Sequence, residues 1–213
     1  LWLRRHRVSV RRGPSVESVD GARAERIVLR ASDLPGPGWG AVPTPKSTEE
    51  MIEGDDLLDA CMAGFPDPDV TASADSDRFM RQYALAYSVV WILSSDAAAQ
   101  IAFATLAHER FASAFVAGMA AEVDAGQGAA TLLGHVAAPV GGLEAPGRAA
   151  AHQARLTAAD ADGVLPIHLE LLALQEERAV TLIILADSPD PMPGGDVEMV
   201  ATRVAARLGT VDR

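Results

Sequence analysis

Polar and apolar positions along the chain change period several times, and each change predicts an element. Between residues 79 and 93 the large side chains fall on alternate positions: Phe79, Tyr83, Leu85, Tyr87, Val89, Trp91 and Leu93. A period of two sustained this long predicts one long, curved strand over 79–93. Its other face carries the smaller, mixed set Met80, Gln82, Ala84, Ala86 and Ser88. Ser94-Ser95-Asp96 then supplies a helix cap, with the acid placed to complement the helix dipole. The period lengthens to that of a helix over 96–122, with Ile101, Ala104, His108, Phe111, Phe115 and Met119 on the inner stripe and Gly126-Gln127-Gly128 as the stop.

Four alternating segments follow, at about 131–138, 148–157, 164–174 and 179–187. The links between them, Pro139 to Gly147, Asp160-Ala161-Asp162-Gly163 and Gln175-Glu176-Glu177, are short and polar, so the segments predict an antiparallel meander. Val180 to Ala186 is nearly continuous apolar sequence, which predicts a central strand covered on both faces. Pro193-Gly194-Gly195-Asp196 opens a last helix with Val197, Val200, Ala201, Val204 and Leu208 inward and Gly209 at its end.

Upstream, Ile27-Val28-Leu29 is a short apolar segment, stopped by Asp33-Leu34-Pro35-Gly36-Pro37-Gly38-Trp39-Gly40, a stiff loop expected to present Trp39. Ser47-Thr48-Glu49-Glu50 has capping-box spacing. The helix it predicts places Met51, Leu58, Cys61, Met62 and Phe65 on one stripe and stops near Gly64, before the extended Pro66-Asp67-Pro68-Asp69. Residues 1–24 show no periodicity and read as a basic, disordered tail ahead of one domain over 25–209. The resulting fold class is α+β: a single antiparallel sheet of about five strands with two main helices packed on it.

Composition fits that reading without redirecting it. At 213 residues, 49% hydrophobic and 22% charged, the chain is long enough for one full core. Aromatics are only 5%, so Leu, Val, Ile and Ala must fill that core. Charge adds more. The net charge is −11, yet Arg4, Arg5, Arg7, Arg11 and Arg12 lie within the first 13 residues with no acid among them, so the body is still more acidic. An acidic body repels phosphate and excludes nucleic acid as its partner. The basic residues 1–13 suit a disordered leader, or an arm against an anionic membrane surface or nucleic acid, as in a juxtamembrane segment. They lack the apolar run of a signal peptide, and no apolar stretch approaches the ~18 residues of a membrane span.

Catalytic and metal chemistry find little support. His108 falls on the predicted inner helical stripe and reads as a buried core histidine; His108-Glu109-Arg110-Phe111 lacks the second histidine of a zinc helix. His152 and His168 lie on strands joined by the Asp160–Gly163 turn. The register that keeps one face apolar, with Leu156 opposite Leu165 and Ala154 opposite Ile167, sets them on opposite faces. It also groups Gln153, Arg155, His168 and Glu170 on a polar, solvated face. Asp160-x-Asp162-Gly163 lacks the later glutamate of a calcium loop and reads as a hairpin turn. Cys61, the single cysteine, reads as a buried structural thiol. Glycosidase carboxylate pairs, phosphate loops and nucleophile elbows leave no trace. No catalytic residue, metal ligand or cofactor is expected.

Asp33-Leu34-Pro35 followed by Trp39, an early helix bearing a cysteine, a long strand into Ser94-Ser95-Asp96-Ala97-Ala98, and a strand meander closed by a helix together resemble a known group. The group is the sensor-like extracellular domains of actinobacterial lipoproteins and receptor Ser/Thr kinases, the PknH-type domain with its Mog1/PsbP-like fold. The resemblance implies a non-enzymatic binding or sensing module of the cell envelope, taking an unknown small molecule, peptide or protein. Such domains commonly pair the early cysteine with one near the end of the long helix, where this chain has Phe115-Val116-Ala117-Gly118-Met119. The contact surface is expected in the cleft between curved sheet and long helix or at the Trp39 loop, with Trp39, Tyr83, Tyr87, Trp91, Arg155, His168 and Glu170 as candidates. Two other readings stay open: a cytoplasmic acidic scaffold protein, and an enzyme with a hidden site at Arg155, His168 and Glu170.

Overall fold

The computed structural model describes residues 19–42, 61–62, 64–125, 131–140, 145–160 and 163–209. Its elements in chain order are α1 (Val19–Ile27), a short 3-10 turn (Ala31–Asp33), β1 (Gly40–Val42), β2 (Val70–Asp75), β3 (Arg78–Arg81), β4 (Ala84–Leu93), α2 (Asp96–Leu106), α3 (Glu109–Ala125), β5 (Thr131–Val140), β6 (Arg148–Asp160), β7 (Gly163–Glu176), β8 (Ala179–Asp187) and α4 (Gly194–Leu208). The class is α+β, as the sequence predicts. The sheet is wider than expected, with eight strands rather than about five. Its order is β1-β3-β4-β8-β7-β6-β5, with β2 also paired to β4, and every pairing is antiparallel.

Helices cover both faces of this sheet, which corrects the simple picture of two helices laid on it. The front face, with Ala86, Val90, Ile92, Leu172, Leu174, Ile183 and Leu185, packs against α1 and α4. The back face, with Leu93, Leu171, Ala173, Val180, Leu182 and Ile184, packs against α2 and α3 through Ala99, Ala102, Phe103, Leu106, Phe111 and Phe115. Between the two layers runs β8, buried from Ala179 to Ala186, which is why its sequence is continuously apolar. In α4 the expected stripe Val197, Val200, Ala201, Val204 and Leu208 is fully inward. Burying each of its valines and its leucine contributes about 1.5–3 kcal/mol.

Two predicted elements are broken in the structure, each for a local reason. The strand expected over 79–93 is a hairpin: Arg81 pairs with Ala84 across Gln82-Tyr83, and Gln82 takes a left-handed φ of 53°. A two-residue turn inverts the strand phase, so Phe79 faces the front with Ala86 rather than with Leu85. The small-residue face Ala84, Ala86, Ser88, Val90 and Ile92 is therefore the more buried one. The helix expected over 96–122 bends at Ala107-His108. His108 N–H closes on the Thr105 carbonyl (3.1 Å), and the His108 Nδ1 accepts from Arg110 N–H (3.1 Å), capping α3. This corrects the expected core histidine: His108 is exposed, as is Ile101 at 46%. At the start of α2 the expected cap is present, with Ser95 Oγ accepting from Ala98 N–H.

At the other end of the domain, α1 begins at Val19, before the expected tail boundary at residue 24, and Ala24 is completely buried. Long-range ion pairs hold this segment. Arg207 of α4 reaches both carboxylate oxygens of buried Asp33 at 2.9 and 2.6 Å and donates to the carbonyls of Ile27 and Val28. Arg178 pairs with Asp20 at 2.6 Å. The predicted capping box at 47–50 and the helix it starts lie outside the described residues, save that Cys61 is buried against the back-face core, as expected for a structural thiol. No helix among the described residues is long and apolar enough to cross a membrane.

Candidate functional site

One end of the front face is polar because the β6–β7–β8 register puts it there. The pairs are Arg155 with His168 and His168 with Asp187, one row across three strands. The next row is Gln153, Glu170 and Leu185. The expected pairing is displaced by two residues, since Leu156 opposes Ile167 rather than Leu165. An even displacement keeps every side chain on its face. Gln153, Arg155, His168 and Glu170 therefore do share a face, and His152 lies on the other with Leu171.

That face is not uniformly solvated. Arg155 and Gln153 are exposed and His168 is half-buried, but Glu170 is only 5% exposed. Burial pushes the Glu170 carboxyl up to about 7, against the opposing effect of a hydrogen bond from Gln153. His168 Nε2 lies 3.0 Å from the Pro189 carbonyl, which makes that nitrogen the protonated donor.

The loop that receives this bond lines a shallow cleft of about 340 Å³ beside the polar rows. One wall is Asp187-Ser188-Pro189-Asp190-Pro191 with Pro193, and the other is the β3–β4 turn, Arg81 to Ala84. The proline wall is stiff and pinned: Ser188 Oγ donates to the Pro166 carbonyl (2.6 Å), and Ser188 N–H donates to Asp187 Oδ1 (2.8 Å). Tyr83 stands at the rim, 73% exposed. Arg81 is committed to the fold, donating to the Pro35 carbonyl at 2.7 Å and stacking 4.7 Å from the Trp39 ring centre.

The candidate residues thus separate into groups. Arg155, His168 and Glu170 come together at the polar end, with Tyr83 across the cleft that adjoins it. Trp39, expected to project from its loop, is half-buried; its Nε1–H donates to the Pro35 carbonyl (2.9 Å) and Arg81 covers its ring. Tyr87 and Trp91 lie on the back face, partly covered by the α2–α3 layer. Packing of α2 and α3 against the sheet fills the space where a cleft under the long helix was expected. Sequence reasoning placed Gln153 on the polar face but missed Asp187 and Asp190 as site components. The proline-spaced run after the central strand, Ser188-Pro189-Asp190-Pro191-Met192-Pro193, was the available signal, since it holds acids rigidly at a strand end. No cluster of metal-ligating residues occurs among the described residues.

No family model and no curated protein matches the chain. Among solved structures, the extracellular domain of PknH from Mycobacterium tuberculosis is similar, with a TM-score of 0.48, 10% sequence identity, and coverage of 89% of this chain and 96% of that one. At that level the similarity is one of backbone arrangement and transfers no residue's role.

Proposed function

We propose that the chain is a non-catalytic binding module of the cell envelope, whose contact surface is the polar end of the front face with its adjoining cleft. The observation that carries this reading is the meeting of the β3–β4 turn and the proline-rich loop around an open cleft beside the Arg155–His168–Asp187 row. A stiff wall lowers the ordering cost of capturing a ligand. The groups facing outward are acceptor-rich, with Asp190 and Asp187 opposite exposed Tyr83, and so favour a small ligand rich in hydrogen-bond donors, such as an amine or a polyol. Ser188 spends its hydroxyl on a backbone carbonyl and is not set up as a nucleophile.

The envelope location rests on the resemblance in motifs and element order. Fractionation of cells producing the full-length protein tests it, and recovery in the cytosol alone would sink that part of the proposal. The binding surface is tested by thermal-shift measurement against polyamines, amino sugars and polyols. A stabilising compound should lose its effect on Asp190→Asn and Tyr83→Ala. Hits that ignore both substitutions would place the site elsewhere.

A further inference from the structure

His152 sits on β6 at the back face, opposite Leu171 and beneath the bend between α2 and α3. It is 2% exposed, and among the described residues neither ring nitrogen has a hydrogen-bond partner. A neutral imidazole always carries one N–H donor and one acceptor, so leaving both unmatched in an apolar layer is costly and uncommon. The backbone of Leu106 and Ala107, at the C-terminal end of α2, bears on the ring without reaching hydrogen-bond geometry. That end of a helix offers unsatisfied carbonyls and favours a cation.

We propose that the α2–α3 bend is an acid-released latch, closed while His152 is neutral and loosened when it takes a proton. In the closed state the ring is held as an apolar filler under the bend. A charged ring carries two donors; the Leu106 and Ala107 backbone favours it without reaching hydrogen-bond geometry, and burial away from water outweighs that help. Hydrating the charge requires the bend to lift.

Among the described residues, the titratable groups that act on His152 are both on the bend. Glu109 favours the charged ring and His108 opposes it. From the sheet, its register partners are Leu171 on β7 and Pro139 on β5, with Ala150 and Ala154 along β6, none of which titrates. The bend is a single turn between two helices, closed by His108 N–H to Thr105, Ala107 N–H to Phe103 and Phe111 N–H to His108.

Desolvation, the largest effect, lowers the His152 value below 6.5. A base lowered by folding binds its proton better when unfolded or opened. The closed form therefore keeps its full advantage above pH 6.5 and loses it as pH falls below that value. Glu170, on the opposite face of the same sheet, responds in the reverse sense, so global stability would mix the two. A local measurement is needed.

Hydrogen exchange of amides 103–112, corrected for intrinsic rate, is compared at pH 7.5 and pH 5.5 in the whole protein. Wild type should lose protection there on acidification, by up to about tenfold as linkage from 6.5 to pH 5.5 allows, while His152→Leu should keep its protection at both values. Equal pH dependence in the two proteins, or none in wild type, overturns the latch. Should His152→Leu fail to fold, NMR titration of the His152 ring in wild type decides: a midpoint below 6.5 accompanied by shifts at Leu106 and Ala107 supports the latch. A midpoint at or above 6.5, or titration without change at the bend, refutes it.

Discussion

Replacing Glu170 by Gln should make the protein more stable at alkaline pH and leave it unchanged in acid. The carboxyl is 5% exposed and its value stands at about 7, against 4.5 for a solvated glutamate. An acid raised by folding holds its proton more tightly in the folded chain. Its favourable contribution is complete below pH 4.5 and is lost as pH rises through 7, where folding must bury a charge. At about 1.4 kcal/mol per pH unit, the interval amounts to roughly 3 kcal/mol. The open polar end screens part of that charge, so about 2 kcal/mol is the expected gain for Glu170→Gln at pH 8.5. The Gln side chain retains an amide that can bond Gln153, so no new unpaired group is created. Urea denaturation at pH 4.5, 7 and 8.5 measures this, with coincident curves at pH 4.5 and a higher midpoint for the variant at pH 8.5. The thermal midpoint should rise by about 4–8 °C. Equal stability at pH 8.5, or a loss at every pH, would refute the reasoning about a buried, uncompensated carboxyl.

Arg207→Ala should cost about 3–5 kcal/mol in chemical denaturation, because it removes the Arg207 charge and two hydrogen bonds from buried Asp33, leaving only that from Arg30 N–H among the described residues, and one each from the Ile27 and Val28 carbonyls; a cost below about 1 kcal/mol would mean that the N-terminal segment is held mainly by apolar contact. Gly147→Ala should cost about 2–3 kcal/mol, since Gly147 has φ +77° and an added Cβ would meet the Gln175 carbonyl oxygen at 2.6 Å; an unchanged urea midpoint would show that the β6 entry relaxes freely. Phe111→Ala, which empties a fully buried position behind the α2–α3 bend, should cost about 3–5 kcal/mol by the same assay, and a change near zero would contradict the back-face packing.

Local rules carried well where neighbours in sequence are neighbours in space. The four meander strands lie within a few residues of their expected limits, because each apolar face had to match the next. The same parity argument separated His152 from His168 although the register was two residues off. It failed where the chain reverses without an obvious turn residue. Gln82-Tyr83 contains neither Gly, Pro nor Asn, so alternation through it read as one strand. Of the expected inner stripe of the long helix, Phe111 and Phe115 are buried but Ile101, Ala104 and His108 are exposed, because the bend at Ala107-His108 rests on a side-chain cap to Arg110 and no breaker residue marks it. Glu170 looked solvated from its polar strand neighbours, and only the assembled front face buries it. The cleft was illegible for a plainer reason: its walls, at 81–84 and 187–193, lie far apart in sequence and meet only through the β4–β8 pairing.

Amide chemical-shift mapping in solution bears most directly on the proposed binding surface. Labelled protein is titrated with whichever amine or polyol gives the largest thermal shift. The account predicts perturbations concentrated at Arg81 to Ala84, His168 and Asp187 to Asp190, and their loss in Asp190→Asn. Perturbations centred on the back-face helices α2 and α3, or spread without focus over the surface, would contradict it.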